Sequence, residues 1–481
     1  MPASTGRRPR HRRRFSAHPA ALCSVLALMG ALGPAQAQTA AQQVEVVGTS
    51  PLPGQGVDRD ALPYSTQVIR RAALDEAQAD TATDFLARRL AGAQVNDIQG
   101  SPFQGDLTFR GYRASGILGA AQGVSVYVDG VRFNEPFGDV VNWDMLPEFA
   151  LHSLTLVPGA NPAFGLNTLG GALSLTTASG LNAPGWRGEY SAGSFGRQHL
   201  NLSNGGRHDG GWHHYLGVGL FDETGWRDHS AGRLGNLLAK LGRQVDDDEF
   251  TLSLMLGRSR LVGNGLVPIA TLDDEGRQTP DLGSAHRAAV YTHPDITRNR
   301  LTQLSAQWRR EIDARHTLEA LVYLRDARRS TLNGDEADGD DEDAEAARQP
   351  ARPRALADEP EINAALNRTA TRQRSAGASL ALSGRVAGHQ WQVGAAADQA
   401  TVHYEQTEQA GRFDASRGVV PEAGEPATLS ARVSGRASSA GVYATDTWQV
   451  RPGTHLTVTL RVNHARVGNT LGSVDDDSCD F

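Results

Sequence analysis

Only two cysteines occur in the 481 residues, Cys23 near the start and Cys479 near the end. An exported chain with so few has no internal disulfide framework. Lysine is scarcer: Lys240 is the sole lysine among 47 basic residues, a bias read as codon usage rather than mechanism. After residue 37 no apolar run approaches the roughly 20 residues that a spanning helix needs. A membrane-embedded version of this chain could therefore only be a barrel, because unpaired backbone is not tolerated in lipid. No phosphate-binding Walker loop, His-Glu-x-x-His helix or Gly-x-Ser-x-Gly elbow occurs, so an enzyme has nothing to stand on, and no cofactor is expected.

What is present begins with an export signal over residues 1–37. Arg7, Arg8, Arg10, Arg12, Arg13 and Arg14 form a cationic head, Ala20 to Leu32 an apolar run, and Ala35-Gln36-Ala37 a small-x-small cleavage site. Without those six arginines the formal charge moves from −7 to −13. An acidic mature chain argues against nucleic acid as a partner, since phosphates need a basic surface.

Residues 38–57 read as a flexible linker carrying one β-prone run, Val44-Glu45-Val46-Val47-Gly48-Thr49. Residues 58–178 have the texture of a compact α+β domain. Gln67-Val68-Ile69 predicts a strand, and Asp80-Thr81 offers cap chemistry for a helix through Phe85, Leu86 and Leu90, stopped at Gly92. Further strands are expected at Leu107–Arg110, Val124–Asp129, Ser153–Val157 and Ala172–Thr176, parted by turns such as Asp129-Gly130 and Pro158-Gly159.

From Trp186 onward, segments of about ten residues alternate apolar and polar, the period of a two-faced strand. About eleven are expected: 186–194, 197–204, 212–222, 232–244, 249–258, 299–311, 315–325, 372–385, 389–402, 438–450 and 454–466. Every second gap is tight, and those between are mostly long: 223–231, 259–298, 326–371 and 403–437. Short turns at one rim and long loops at the other mark an outer-membrane barrel. Trp212, Phe250, Trp391 and Trp448 adjoin the tight turns, which predicts an aromatic girdle at that interface. A soluble secreted β-protein would share the alternation but not these connectors.

The middle of the first domain carries a series of motifs. Phe109-Arg110-Gly111-Tyr112 precedes Val124-Ser125-Val126-Tyr127-Val128-Asp129-Gly130-Val131, and Leu154-Thr155-Leu156-Val157-Pro158-Gly159-Ala160 precedes Leu169-Gly170-Gly171-Ala172-Leu173. Together they resemble the plug domain of TonB-dependent outer-membrane receptors, and Gly225-Trp226-Arg227 and Val442 to Trp448 resemble barrel strands of that family. The resemblance implies a plug over 58–178 and a membrane β-barrel over 186–481, partial at about 11 of 22 antiparallel strands. It further implies active transport of a scarce nutrient, most often an iron–siderophore complex, energised by TonB and its inner-membrane complex. Cobalamin, saccharides, nickel and haem stay open, and a passive porin or adhesion barrel is the rival.

The same resemblance assigns residues. Val44, Glu45, Val46, Val47 and Gly48 would be the TonB box, dangling free to pair as a strand with that partner. Arg110 would latch the plug through ion pairs with barrel glutamates, although Thr155 stands where the family usually has an acid and Pro158 where it has a base. The plug apices that would meet a chelate ligand are Tyr112, Arg113 and Ser115, then Phe133, Asn134, Glu135, Phe137, Asn142 and Trp143. Phe137 and Trp143 could equally pack beneath their loop.

Three features are left over. The acidic run Asp335 to Asp343 reads as a solvated loop rather than a calcium site. His213 and His214 point to opposite strand faces and cannot share a metal. Eleven strands and an acidic end, Asp475 to Phe481, raise the expectation of a truncated receptor whose sheet has free edges.

Overall fold

Local turn chemistry and the two-residue period lay out the elements. The computed structural model describes residues 46–472 apart from 53, 78, 80, 98, 264, 268–287, 289 and 338–361. The export signal, Val44, Glu45, the acidic residues from Asp338 to Asp343 and the end from Asp475 lie outside the described residues.

The first region comprises β1 (Val46–Val47), β2 (Val57–Asp58), β3 (Gln67–Arg70), α1 (Arg71–Ala77), α2 (Ala82–Arg89), β4 (Ala93–Asn96), β5 (Asp106–Phe109), β6 (Tyr112–Ala114), β7 (Val124–Val128), β8 (Val131–Arg132), β9 (Leu151–Pro158) and β10 (Gly171–Thr177). α2 starts where its cap chemistry lies. The Thr81 side chain accepts the Asp84 backbone N–H, and Asp84 and Arg88–Arg89 complement the helix dipole at its two ends. β7, Val-Ser-Val-Tyr-Val, is buried along its whole length, as an interior strand covered on both faces must be. It lies parallel to β10 in a five-stranded sheet of order β3-β9-β10-β7-β8. β4, β5 and β6 form a second, antiparallel sheet, and β1 and β2 a small hairpin.

The second region is one antiparallel sheet in chain order. It comprises β11 (Gly185–Ala192), β12 (Gln198–Arg207), β13 (Trp212–Glu223), β14 (Gly232–Val245), β15 (Asp248–Val262), β16 (Asp295–Asp313), β17 (His316–Glu336), β18 (Ala364–Val386), β19 (His389–Phe413), β20 (Val419–Pro421), β21 (Thr428–Arg451) and β22 (Thr454–Gly472). All eleven expected strands are present, and the short β20 joins β19 as a twelfth. The sheet does not close among the described residues: β11 and β22 are its edges. The expected tight turns hold, but the strands outrun the expected ends. β18 and β19 run 23 and 25 residues, so much of the expected loops 326–371 and 403–437 is strand. There the alternation is polar on both faces, which hides it from a hydrophobic count.

One face of the sheet packs on the first region. Gly217 and Gly219 seat the Phe149 ring, where an added Cβ would come within 2.4 and 2.8 Å of it. Phe85, Leu86, Leu154 and Leu173 belong to a core that runs on into Tyr215, Leu238, Met255 and Leu301 of the sheet. Each large apolar side chain so buried contributes about 1.5–3 kcal/mol. The other face carries exposed apolar residues, with Val322, Leu324 and Leu460 at 53%, 60% and 69% exposure. At the tight-turn end of that face stand Trp212, Phe250, Trp391 and Trp448, Phe250 stacked at 6.1 Å on Trp308.

Candidate functional site

Burial sorts the expected ligand residues into two groups. Phe133 and Trp143 are core residues, and the Trp143 indole N–H donates to the Ala114 carbonyl at 2.9 Å. Asn134 ties loop to strand: its Oδ1 accepts the Val126 N–H at 2.7 Å and its Nδ2 donates to the Val124 carbonyl at 3.1 Å. Ser115 is fully buried and accepts the Ile117 N–H. Tyr112 spreads its ring over Gly123 and Gly170, where no side chain would fit. Arg113 reaches buried Asp106 at 3.5 Å. All six are accounted for by packing or local hydrogen bonding.

Phe137 and Asn142 are different. With Glu135, Met145, Arg329 and Tyr404 they line a cavity of about 320 Å³ between the loop and the sheet. The Phe137 ring centre lies 5.6 Å from that of Tyr404, and the Phe137 N–H donates to Gln373 Oε1 at 2.8 Å. Arg329 donates to Asn142 Oδ1 at 3.2 Å and to the Gly116 carbonyl. Glu135 Oε2 has no hydrogen-bond partner. Burial raises the Glu135 carboxyl, against the pull of Arg325, Asn142 and Arg329. The cavity thus presents two aromatic rings, an amide, a guanidinium and a carboxyl that is not fully satisfied. Such a set suits a polar ligand held by stacking and hydrogen bonds. Sequence reasoning missed Arg329 and Tyr404 because the expected strands end at 325 and 402, which left both in expected loops, whereas β17 and β19 run on past them.

Beneath the cavity the plug is fixed to the sheet by charges that the sequence did not single out. Lys240 Nζ lies 2.9 Å from Asp129 Oδ2, and both side chains are nearly buried. Asp129 also accepts the Thr177 N–H at 2.9 Å and its hydroxyl at 2.6 Å. Burial alone would raise the Asp129 carboxyl, but Lys240 and Thr177 outweigh it and hold it below the ordinary value. The Asp144 carboxylate meets only neutral donors, Ser259 at 2.5 Å and Asn299 at 2.8 Å, and burial keeps it raised. Arg325 donates to the carbonyls of Arg132 and Phe133.

Two expectations are corrected. Arg110 pairs with no carboxylate among the described residues. It is exposed, in a left-handed turn with φ of 49°, its guanidinium 5.2 Å from the Phe109 ring centre. That turn carries the side chain back over its neighbour rather than across to the sheet. The sole lysine, set aside as codon bias, makes the buried plug–sheet ion pair instead.

The β-prone segment is not free either. Val46 and Val47 pair with Asp58 and Val57, and Val47 is buried. The chain that follows is held to the sheet: the Gly54 N–H donates to Glu319 at 2.7 Å, and Gln392 and Tyr443 bond to the Leu52 carbonyl and the Ser50 hydroxyl. Leu52 packs with Val131, Leu321 and Ala381.

Comparison with known proteins agrees with this arrangement. Residues 58–172 match the family model of the TonB-dependent Receptor Plug Domain. Among solved structures, the unliganded ferric citrate transporter FecA is similar at a TM-score of 0.61 and 16% identity, covering 86% of this chain and 61% of its own. The ferric yersiniabactin uptake receptor FyuA from Yersinia pestis gives 0.57 and 14%, over 85% of this chain and 61% of its own. The ferric-catecholate import receptor Fiu from E. coli K12, in its open form, gives 0.63 and 14%, over 89% and 69%. The chain therefore spans about three fifths of the length of the first two. Residues 58–172 thus match the plug domain of TonB-dependent receptors, and the plug-on-sheet fold is the one that these structures have.

Proposed function

We propose that the protein takes part in TonB-dependent uptake of a scarce nutrient across the outer membrane, with an iron–siderophore complex as the cargo. The observation that carries this reading is the plug's two-ended arrangement. The Arg329–Phe137 cavity opens near the long connectors, while the Val46–Leu52 segment is held near the tight turns at Glu319 and Gln392. Glu319 and Arg329 stand ten residues apart on β17, about 33 Å along the strand. Ligand would enter at one end and force be applied at the other.

Strand addition by TonB would need β1 to exchange its pairing with β2 for pairing with the partner. The energising complex would then pull on a segment anchored through Gly54 and Leu52. The apolar outer face of the sheet and its aromatic girdle support placement in outer-membrane lipid. The similar proteins are a ferric citrate transporter, a ferric yersiniabactin uptake receptor and a ferric-catecholate import receptor, which favours an iron chelate here.

The test is deletion of residues 44–48 from the receptor in the cell that makes it, under iron limitation. Uptake of labelled ferric chelate should stop while surface binding persists. Unchanged uptake would instead identify a passive barrel.

A further inference from the structure

Beyond the cavity, connectors of the sheet are tied to one another at a pair of histidines. The rings of His229 and His293 stack face to face, their centres 3.9 Å apart and their planes 15° from parallel. His229 stands in the β13–β14 connector and His293 just before β16. From His293 the ties run on to the turn between β19 and β20. Its Nε2 lies 3.0 Å from Ser416 Oγ, its backbone N–H donates to the Arg417 carbonyl at 3.2 Å, and its carbonyl accepts the Val419 N–H at 2.9 Å. The ring also presses on Gly418, where an added Cβ would strike it.

Arg417 completes the assembly. Its guanidinium lies 4.3 Å from the ring centres of both Tyr291 and Phe413, and it donates to the Tyr291 carbonyl at 2.5 Å and to Glu336 at 2.9 Å. These contacts hold unfavourable backbone in place. His229 and Arg417 both take the left-handed conformation, with φ of 52° and 60°, which residues with side chains keep where their surroundings impose it. At the outer end of β17 the Gly334 N–H donates to the Pro294 carbonyl at 2.7 Å. Gly334 lies three residues, about 10 Å, beyond Thr331 of the cavity wall.

Stacked imidazoles at this distance repel when both are charged. Burial holds the His293 imidazole below its ordinary value of 6.5 and a charge on His229 lowers it further, while Asp414 opposes both. The other charged or titratable groups on the elements packed here are Arg227 and Asp228 beside His229, Tyr291 and Asp295 beside His293, Asp335 and Glu336 on β17, and Arg417. The stack is thus at full strength above 6.5 and weakens as pH falls from there through the lowered value.

We infer that His229 and His293 form an acid-released clasp, which ties the 223–231 connector to its neighbours beyond the cavity at neutral pH and frees it in an acid medium. That the clasp governs cargo entry rests on the uptake reading; its release by acid does not.

The test is hydrogen exchange of the full chain in dodecyl maltoside micelles, at about pH 7.5 and about pH 5 and corrected for intrinsic rates. The Asp228 N–H, which donates to the Ala288 carbonyl at 2.7 Å, reports on the connector. Protection there should fall about tenfold in acid, the change that one unit of displaced pKa brings, while the tight turn at 245–248 stays as it was. H293F and H229F keep a ring in the stack and remove its charge, so each should hold the protection at both pH values. Arg417→Gln should loosen the connectors equally at both. Should H293F fail to fold, H229F decides by itself. Equal protection of the unaltered chain at both pH values, or a pH dependence that survives in both variants, overturns the clasp. So does a loss shared with the tight turn, which would mark general unfolding. None of these outcomes touches the uptake reading, which the deletion of residues 44–48 decides separately.

Discussion

The plug and the large sheet solve burial in opposite ways. The plug is built like a water-soluble domain, with β7 covered along its length and a core of Phe85, Leu86, Leu154 and Leu173 that runs on into the sheet. The sheet has only a small core of its own, around Ala364, Leu366 and Val419; elsewhere one face borrows the plug, and the other leaves Leu324 and Leu460 uncovered. A soluble protein rarely exposes so large an apolar surface without a partner. The plug is thus fitted to water, and the sheet, on the proposed function, to a boundary between plug and lipid. Beside that shared apolar core, what joins them is polar: a lysine–aspartate pair, arginine-to-carbonyl bonds and the Asp144 bridge.

The largest expected way to break that junction is Lys240→Ala. It strands the Asp129 carboxylate, and loss of one member of a buried pair costs about 3–5 kcal/mol. Arg110→Ala, by contrast, should fall within about 0.5 kcal/mol of the unaltered chain. Urea unfolding of the plug, followed by protease accessibility, measures both. Equal effects would restore Arg110 as the latch. Next, Val322→Arg on the uncovered face should cost about 2–4 kcal/mol in a bilayer and almost nothing in water. Denaturation from lipid vesicles would show it, and an effect near zero there would remove this face from lipid.

The smallest effect is the sharpest in sign. The Asp129 carboxyl is held low when folded, so its stabilisation is present above its unfolded value near 3.8 and is lost as pH falls through the lower folded value. The Asp144 carboxyl is raised, so its contribution has the opposite slope: stability declines as pH rises from 3.8 through the raised value. Asp129→Asn should remove the first slope and Asp144→Asn the second, read from plug unfolding between acidic and neutral pH. Identical pH profiles for the two variants would refute the assignment.

The site was partly legible. Phe137 and Asn142 were identified from their loop, and they do line the cavity. Ser115, Asn134 and Trp143 shared that composition but face inward, because a loop residue's direction depends on what it packs against. Arg329 and Tyr404 were hidden on long strands. Arg110 and Lys240 exchanged roles for a similar reason: motif position marked the arginine, whereas strand register alone brought the lysine to Asp129.

By itself, the sequence determined the element types and their order. Turn residues, cap chemistry and the two-residue period act within a few positions, so they can be read along the chain. Only the tertiary structure decided which charges answer one another. Asp129 and Lys240 are 111 positions apart, and Phe137 and Tyr404, whose rings meet, are further apart still. Such contacts depend on how strands far apart in sequence are laid side by side, and nothing local records that alignment.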